Sequence, residues 1–297
     1  MTTSTPLLFP SEGAMLAGVL LRPDETWTPR PTVIVTGSWL TVKEQMPMTY
    51  ARRLVEGGLN AFVFDFAGFG ASGGEPRQAE IPLRKVADLE AAARFLGTLS
   101  LVTPEAVGLL AICASAQYGL AAIAGGAGIR SFVSVAGWYH DTASVAPFYG
   151  AEAGMRRRLE AAVRAIERYT AGGEVLTVPA YRAGDETAGM FFELDYYGNP
   201  SRGAVPTWRN EMAVMSWASW LPFDGLRAAP RVGVPTLIVH SDGCVFPENA
   251  RAVYDALPGQ KRLHWSSEGT QTDFYDQPAQ VDEAAAEAIK HFRETLS

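Results

Sequence analysis

The residue best placed to do chemistry is a thiol. In 109-LLAICASAQYGLAA-122 an apolar run stops at Ile112-Cys113-Ala114-Ser115 and passes at once into an alanine-rich segment of helical character. Ala111, two residues before the cysteine, and Ser115, two after it, are small. A strand that turns sharply into a helix needs small groups there, because a nucleophile on such a turn projects from a strained backbone. The same turn places Cys113 at a helix N-terminus, where the dipole and the free N–H groups lower a thiol pKa and can hold an oxyanion. The competing reading is a buried apolar cysteine, the commonest state of a free Cys; the strand-end position favours the nucleophile. Cys113 and Cys244 are the only cysteines. Two, neither in a CxxC, are too few for a disulfide framework or a thiolate zinc site, and neither a metal nor a cofactor is expected.

A nucleophile needs a base, and the chain has four histidines. His291 falls in the last helical pattern and His264 in mid-strand, where a packing role is the ordinary one. His140 closes 131-SFVSVAGWY-139 and His240 closes 235-PTLIVHS-241, so both belong to the carboxyl end of a parallel sheet, where α/β sites form. Asp141 follows the first, and Ser241-Asp242 the second, so either imidazole has a carboxylate near in sequence to orient it. An equally weighted reading is that each histidine only bonds the strand-end loops. The segment 68-GFGASGG-74 matches GxGxxG formally. Its glycines run into Glu75-Pro76-Arg77 rather than into a helix that could hold a pyrophosphate, so it reads as a tight turn and not a dinucleotide site.

Periodicity supplies the elements that must position these groups. Residues 5–22 read as two strands about the turn Ser11-Glu12-Gly13, then 31-PTVIVTGSW-39 as a buried strand, a helix near 44–57, strand 60-NAFVFDF-66, helix 79–98, strand 106-AVGLLAIC-113, helix 114–124 and strand 131–139. This β-α alternation specifies a mostly parallel sheet, with helices on both faces. From 142 to 230 the rhythm breaks into a polar helix (153–170) and an aromatic, Gly/Pro-rich stretch containing 196-YYGNPSRGAVPTW-208 and 214-VMSWASWLPFDG-225. It resumes with strand 235–241, helix 247–257, strand 261–267 and helix 279–296. The chain therefore divides into a core of residues 1–141 and 231–297 and a lid or cap insertion, 142–230.

Composition limits the partners. A formal net charge of −7 leaves no extended basic surface for nucleic acid, and the run Arg156-Arg157-Arg158 reads as a solvated helix face. No stretch approaches the length of a transmembrane span, and the N-terminal residues lack the basic and apolar regions of a signal peptide; a cytoplasmic protein without a membrane partner is expected. The partner is a small molecule, and the sequence leaves a homodimer open.

Four runs together, 37-GSWLTVKEQM-46, 65-DFAGFGASGGEPR-77, 109-LLAICASAQYG-119 and 273-DFYDQP-278, resemble the α/β-hydrolase superfamily, and within it the dienelactone-hydrolase-like branch that includes fungal polyketide transferases. The likeness runs in order along nearly the whole chain. It implies an eight-stranded, mostly parallel sheet with Cys113 as nucleophile. The oxyanion hole would be the N–H of Ala114 with one from Gly37-Ser38-Trp39. The resemblance also implies an acid after the strand ending near 241 and a histidine after the last strand. The sequence departs from that pattern twice: the histidine position falls on Gln271 and the acid position on Cys244 or Val245.

In the superfamily's strand order the strand of His140 adjoins that of Cys113 and the strand of His240 lies one further. That puts them about 5 and about 10 Å away and favours His140 as a relocated base. Lys43-Glu44 and Arg77 read as a helix-start ion pair and a loop anchor, with substrate contact the lesser alternative. Trp39, Trp138, Tyr139, Tyr196, Tyr197, Trp208, Trp217 and Trp220, with Gln271 and Tyr275, are the candidates to line an apolar pocket under the lid. The expected function is action on an ester, thioester or lactone carbonyl of a small apolar or aromatic substrate, by hydrolysis or acyl transfer. Because a glutamine cannot take a proton near neutrality, the alternatives are a lyase, cyclase or isomerase, or a ligand-binding pseudo-enzyme on the same fold. Such a branch serves catabolic or secondary metabolism.

Overall fold

The computed structural model describes residues 2–296. Its frame is one eight-stranded sheet. In chain order the strands are β1 (Thr3–Ser11), β2 (Ala14–Arg22), β3 (Arg30–Thr36), β4 (Asn60–Phe64), β5 (Val102–Ile112), β6 (Ser131–Val135), β7 (Thr236–Gly243) and β8 (Lys261–Thr270). They lie in the order β1-β2-β4-β3-β5-β6-β7-β8. β1 and β2 form an antiparallel hairpin that joins β4, also antiparallel, and every other pairing is parallel. The hairpin turns on Glu12 and Gly13, both at positive φ, as a two-residue loop matched to strand twist requires. In the middle of the sheet β4 and β6 are buried at every position. That is why their sequences read as continuous apolar runs rather than alternating ones.

Of six longer helices, α1 (Met46–Glu56), α2 (Pro82–Leu96), α3 (Ser115–Ala124), α4 (Ala151–Thr170), α5 (Pro247–Ala256) and α6 (Pro278–Thr295), all but α4 cover the sheet, and α4 packs on short turns of the 142–230 segment. α1, α2, α5 and α6 carry proline in their first turn, where its missing N–H costs no hydrogen bond. Right-handed crossovers fix their sides. The step β3-α1-β4 runs one way across the sheet and β4-α2-β5 the other, so α1 and α2 take opposite faces. α6 packs against α1, and α3 against α2. The reversal leaves a crevice between the carboxyl ends of β3 and β5, where open α/β sheets place their sites.

Two strands end three or more residues earlier than periodicity suggests. β3 stops at Thr36, and Gly37 opens the loop 37–45. β6 stops at Val135, because Ala136 adopts φ 45° and turns the chain out of the sheet. Residues 142–230, read above as a lid, lie between β6 and β7 and contain α4 with several short turns. They pack on the sheet's carboxyl edge through aromatic stacks: Trp220 and Trp217 lie 4.8 and 5.7 Å from Trp39 between ring centroids, and Tyr149 lies 4.9 Å from Trp217. The Arg158 guanidinium caps the rings of Tyr149 and Trp217 at 4.9 and 5.4 Å.

Candidate active site

Cys113 sits one residue beyond β5, with φ 57°, a left-handed conformation rare for a side chain of any size and therefore imposed by its surroundings. Those surroundings hold it from three sides. Its N–H donates to Val135 O at 3.1 Å, and its carbonyl accepts from Ala116 and Trp138 N–H, both at 3.0 Å. Ser115 Oγ bonds back to Ile112 and to Thr36 O at 3.1 Å, tying the turn to β3. The sulfur faces a cavity of about 150 Å³ lined by Ser38, Trp39, Trp138, Phe148, Tyr149, Met190, Phe192, Leu194, Tyr197, Trp220, Val245, Gln271, Thr272 and Tyr275. No lining residue carries a charge.

Near that sulfur lie the hydroxyls of Ser38 and Tyr275 and the backbone N–H groups of Ala114 and Trp39, each of which lowers its pKa. Burial is nonetheless the stronger influence and pushes the Cys113 thiol above its ordinary range, the donors pulling the other way. The lowered pKa expected from the helix N-terminus is thus corrected: with Cys113 4% exposed, loss of water outweighs the helix end. Cys244 is buried too and is pushed up to about 11, again chiefly by burial. Both cysteines are free.

The loop that supplies Ser38 and Trp39 is braced by buried charge. Leu40, at φ 60°, donates its N–H to Glu80 Oε2 at 3.1 Å. The same carboxylate accepts from Tyr118 Oη at 2.7 Å, on the helix that follows Cys113, and from Lys85 Nζ at 2.8 Å. Glu80 and Lys85 are sealed from solvent, and the ammonium lies 4.6 Å from the rings of both Phe66 and Phe69. Further along, Lys43 bonds Asp65 through both N–H (2.8 Å) and Nζ (2.6 Å). Arg77 donates to the carbonyls of Gly70 and Ser72, so both act as loop anchors. In the 68–74 turn a Cβ on Gly70 would stand 2.2 Å from Asp65 Oδ2: the glycine is there for the carboxylate, not for a nucleotide.

The structure brings Cys113, Ala114, Ser38, Trp39, Trp138, Tyr197, Trp220, Gln271 and Tyr275 together and leaves the other candidates outside. Neither His140 nor His240 lines the cavity. The turn at Ala136 carries His140 away from the strand end, beneath Trp220. There Trp138 Nε1–H donates to its Nδ1 at 2.7 Å and its Nε2 meets Trp220 O at 2.9 Å. Burial pushes its pKa down to about 4. His240 faces the Ser241 and Gly137 carbonyls at 2.9 and 3.3 Å, its pKa also lowered by burial. Asp141 caps the turn Thr142–Val145 and orients no imidazole. Exposed Asp242 pairs with Arg251 at 3.1 Å. Tyr139 donates to Ser134 Oγ at 2.6 Å and Trp208 to Leu40 O at 2.8 Å, while Trp217 stacks behind Trp39. All three are packing residues around the pocket rather than its wall.

Gln271, where the resembled pattern has a histidine, is fixed by three bonds. Its Oε1 accepts from Val245 N–H at 3.0 Å, and its Nε2 donates to Ala136 O at 2.8 Å and to Tyr275 Oη at 3.0 Å. Tyr197 Oη donates to Ser38 Oγ at 2.8 Å, and Tyr275 Oη reaches the same oxygen at 3.4 Å. Sequence reasoning did not single out Phe148, Tyr149, Met190 and Phe192, which come from irregular stretches with no periodic signal. Among the described residues no group of three His, Cys, Asp or Glu could hold a metal ion, and no helix is long and apolar enough to cross a membrane.

Strand order, strand-to-helix turn and switch-point crevice together define the α/β-hydrolase fold, and the protein has that fold. No family model matches the sequence. The chain is 29% identical to the YcjY protein of Escherichia coli over 270 residues, 86% of this chain and 85% of that one. It is 25% identical to a thiohydrolase of Eupenicillium brefeldianum over 246 residues, 79% and 77% of the two chains. In three dimensions it is similar to the α/β hydrolase GrgF of Penicillium sp. sh18, with TM-score 0.85, 19% identity and 99% of each chain covered. The likeness to a fungal thiohydrolase agrees with the branch that the sequence motifs resemble.

Proposed function

We propose that the protein is an enzyme that accepts an acyl group from a small apolar or aromatic ester, thioester or lactone onto Cys113 and passes it to an acceptor. The observation that carries this reading is the convergence of the Trp39 and Ala114 N–H groups beside a cysteine held at φ 57° on the strand-to-helix turn. Two preorganised N–H donors beside a nucleophile are what a tetrahedral oxyanion requires, and the fungal thiohydrolase likeness points to the same bond class. A cavity of about 150 Å³ with an aromatic wall suits an acyl group about the size of a benzene ring.

Acyl transfer is favoured over hydrolysis by Gln271. With its amide committed on both sides and no imidazole in the cavity, nothing there would strip a proton from water, so the acyl-cysteine would persist until a better nucleophile arrived. The test is intact-mass spectrometry after exposure to p-nitrophenyl acetate. One acetyl group lost on Cys113→Ala and retained on Cys244→Ala is expected, with turnover slow in water and accelerated by added small thiols. Acetylation unaffected by Cys113→Ala would overturn the proposal. The ligand-binding alternative corresponds to no adduct with tight binding of an aromatic ligand.

A further inference from the structure

If Cys113 is the nucleophile, as proposed above, its proton has to go somewhere, and no base is at hand. The hydrogen bonds around Gln271 name the group that takes it. Val245 N–H can only donate and Ala136 O can only accept, so the amide has one orientation and its Nε2–H must point at Tyr275 Oη. A phenol oxygen that receives a proton from one side must send its own elsewhere. The remaining polar neighbours of Tyr275 are Cys113 Sγ, Ser38 Oγ and the Tyr197 phenol, which spends its own proton on Ser38. Ser38 Oγ already accepts from Tyr197 at 2.8 Å, against 3.4 Å from Tyr275. The Tyr275 hydroxyl is left with only that long bond and lines the same cavity as Cys113, so a short rotation turns it to the reacting centre, and Gln271 is a positioning residue for it.

We propose that Tyr275 is the proton-transfer residue of this site, relaying the thiol proton of Cys113 to the substrate so that no charged intermediate builds up. As the sulfur adds to the carbonyl carbon the S–C bond forms and the C=O π pair moves to oxygen, which lies among the Trp39 and Ala114 N–H groups. That oxygen takes the Tyr275 proton while Tyr275 takes the proton of the thiol, giving a neutral tetrahedral adduct. On collapse the C–X bond to the leaving group breaks, and the adduct's hydroxyl proton returns through Tyr275 to X. The balance is thiol plus acyl-X to acyl-cysteine plus HX, with Tyr275 unchanged and no co-reactant needed.

The surroundings suit a relay of neutral groups. Facing Cys113 and Tyr275 are the Ser38 hydroxyl from the loop after β3, the phenols of Tyr196 and Tyr197 from the 142–230 segment, and the Cys244 thiol beyond β7. On Tyr275's own turn Asp276 is paired with Arg202 at 2.6 Å and Asp273 accepts from Thr270 at 2.7 Å. Burial, with Cys113 and Tyr197 nearby, raises the Tyr275 hydroxyl well above its ordinary pKa. Between about pH 5.5 and about pH 8 nothing that lines the cavity changes charge, and burial lowers the pKa of both His140, to about 4, and His240 outside it.

The test compares two reactions of the same sulfur in the intact protein. Single-turnover acetylation of Cys113 by p-nitrophenyl acetate is expected to be flat over that pH range. Alkylation by iodoacetamide has no oxygen to receive the relayed proton and is expected to climb about tenfold per pH unit, because it needs the thiolate. In Tyr275→Phe, acetylation near pH 6.5 is expected to slow by about 10²-fold or more and to acquire the same climb as alkylation, while alkylation slows far less, by only what the loss of one donor near the sulfur costs. Gln271→Leu is expected to fall between the two. A wild-type acetylation rate that climbs in parallel with alkylation overturns the relay without any variant having to fold. So do matching wild-type and Tyr275→Phe rates and profiles. Failure of the wild-type protein to acetylate at all removes the nucleophile and the relay together.

Discussion

Acidification offers a measurement that separates a structural histidine from a catalytic one. His140 is fully buried with its pKa driven from 6.5 to about 4, first by desolvation and against the pull of the Trp220 carbonyl. Between those values the unfolded chain binds a proton that the folded chain refuses, so stability is lost as pH falls from 6.5 towards 4 and levels off below. At about 1.4 kcal/mol per unit the group alone contributes about 3 kcal/mol at neutral pH that is missing at pH 4. His240 and His291, also lowered by burial, act in the same sense, and buried Asp65 and Asp88, raised by burial, act in the opposite one. A difference measurement removes them. Urea unfolding of the wild type and of His140→Leu at several pH values is expected to show the variant less stable at pH 7, since Trp138 Nε1–H and Trp220 O lose their partner. That gap should narrow by about 3 kcal/mol by pH 4. Stability curves that run parallel would refute the argument. So would a loss of Cys113 acetylation in His140→Leu as large as the roughly 10²-fold or more that removing a general base entails.

Three further outcomes follow from other parts of the molecule. Lys85→Met strands the Glu80 carboxylate in the interior and is expected to cost about 3–5 kcal/mol in chemical unfolding; the double variant with Glu80→Leu should recover part of it, and no recovery would count against the pairing. Gly70→Ala places a Cβ against Asp65 at a φ of 47° and is expected to lower the thermal midpoint by an amount equivalent to more than about 1 kcal/mol, measured by calorimetry. Gln271→His by itself is expected to add little steady-state esterase turnover, since it breaks the bonds to Val245, Ala136 and Tyr275 and gains no orienting carboxylate. Paired with Cys244→Asp it should add more than either change singly, read as deacylation rate after the acetyl burst.

How much of this could be read from the sequence differs by residue. The sheet, its helices and the turn at Cys113 were legible because apolar period, proline and glycine report local backbone directly: Ile112-Cys113-Ala114 marks a strand end whatever surrounds it. The positions of the histidines were not. His140 was placed by counting strands about 4.8 Å apart, and one residue, Ala136 at positive φ, invalidated the count by ending β6 four residues early. The thiol pKa failed for a different reason: a helix N-terminus is visible in sequence, but the depth of burial that outweighs it depends on Phe148, Tyr149 and Phe192, which arrive from a segment without regular pattern. Gln271 was visible as a departure from a motif. Its partnership with Tyr275 four residues later needed coordinates, because helical spacing alone does not say where an amide points.

The bond from Tyr197 to Ser38 has a consequence beyond holding a loop. Tyr197 and Trp208 belong to the 142–230 segment, and they grip Ser38 and Leu40 on either side of the donor Trp39, while Gln45 reaches Gly203 O at 2.6 Å. The cover of the pocket and the oxyanion-binding loop are therefore one mechanical unit. Any excursion of the segment wide enough to admit bulk water would pull on the Trp39 N–H proposed above to polarise the carbonyl. Access and reactivity are then coupled, so that an acyl-cysteine would be shielded from solvent for as long as its donors are in place. Acceptors small enough to enter without prising the segment away would be selected over larger ones by geometry alone.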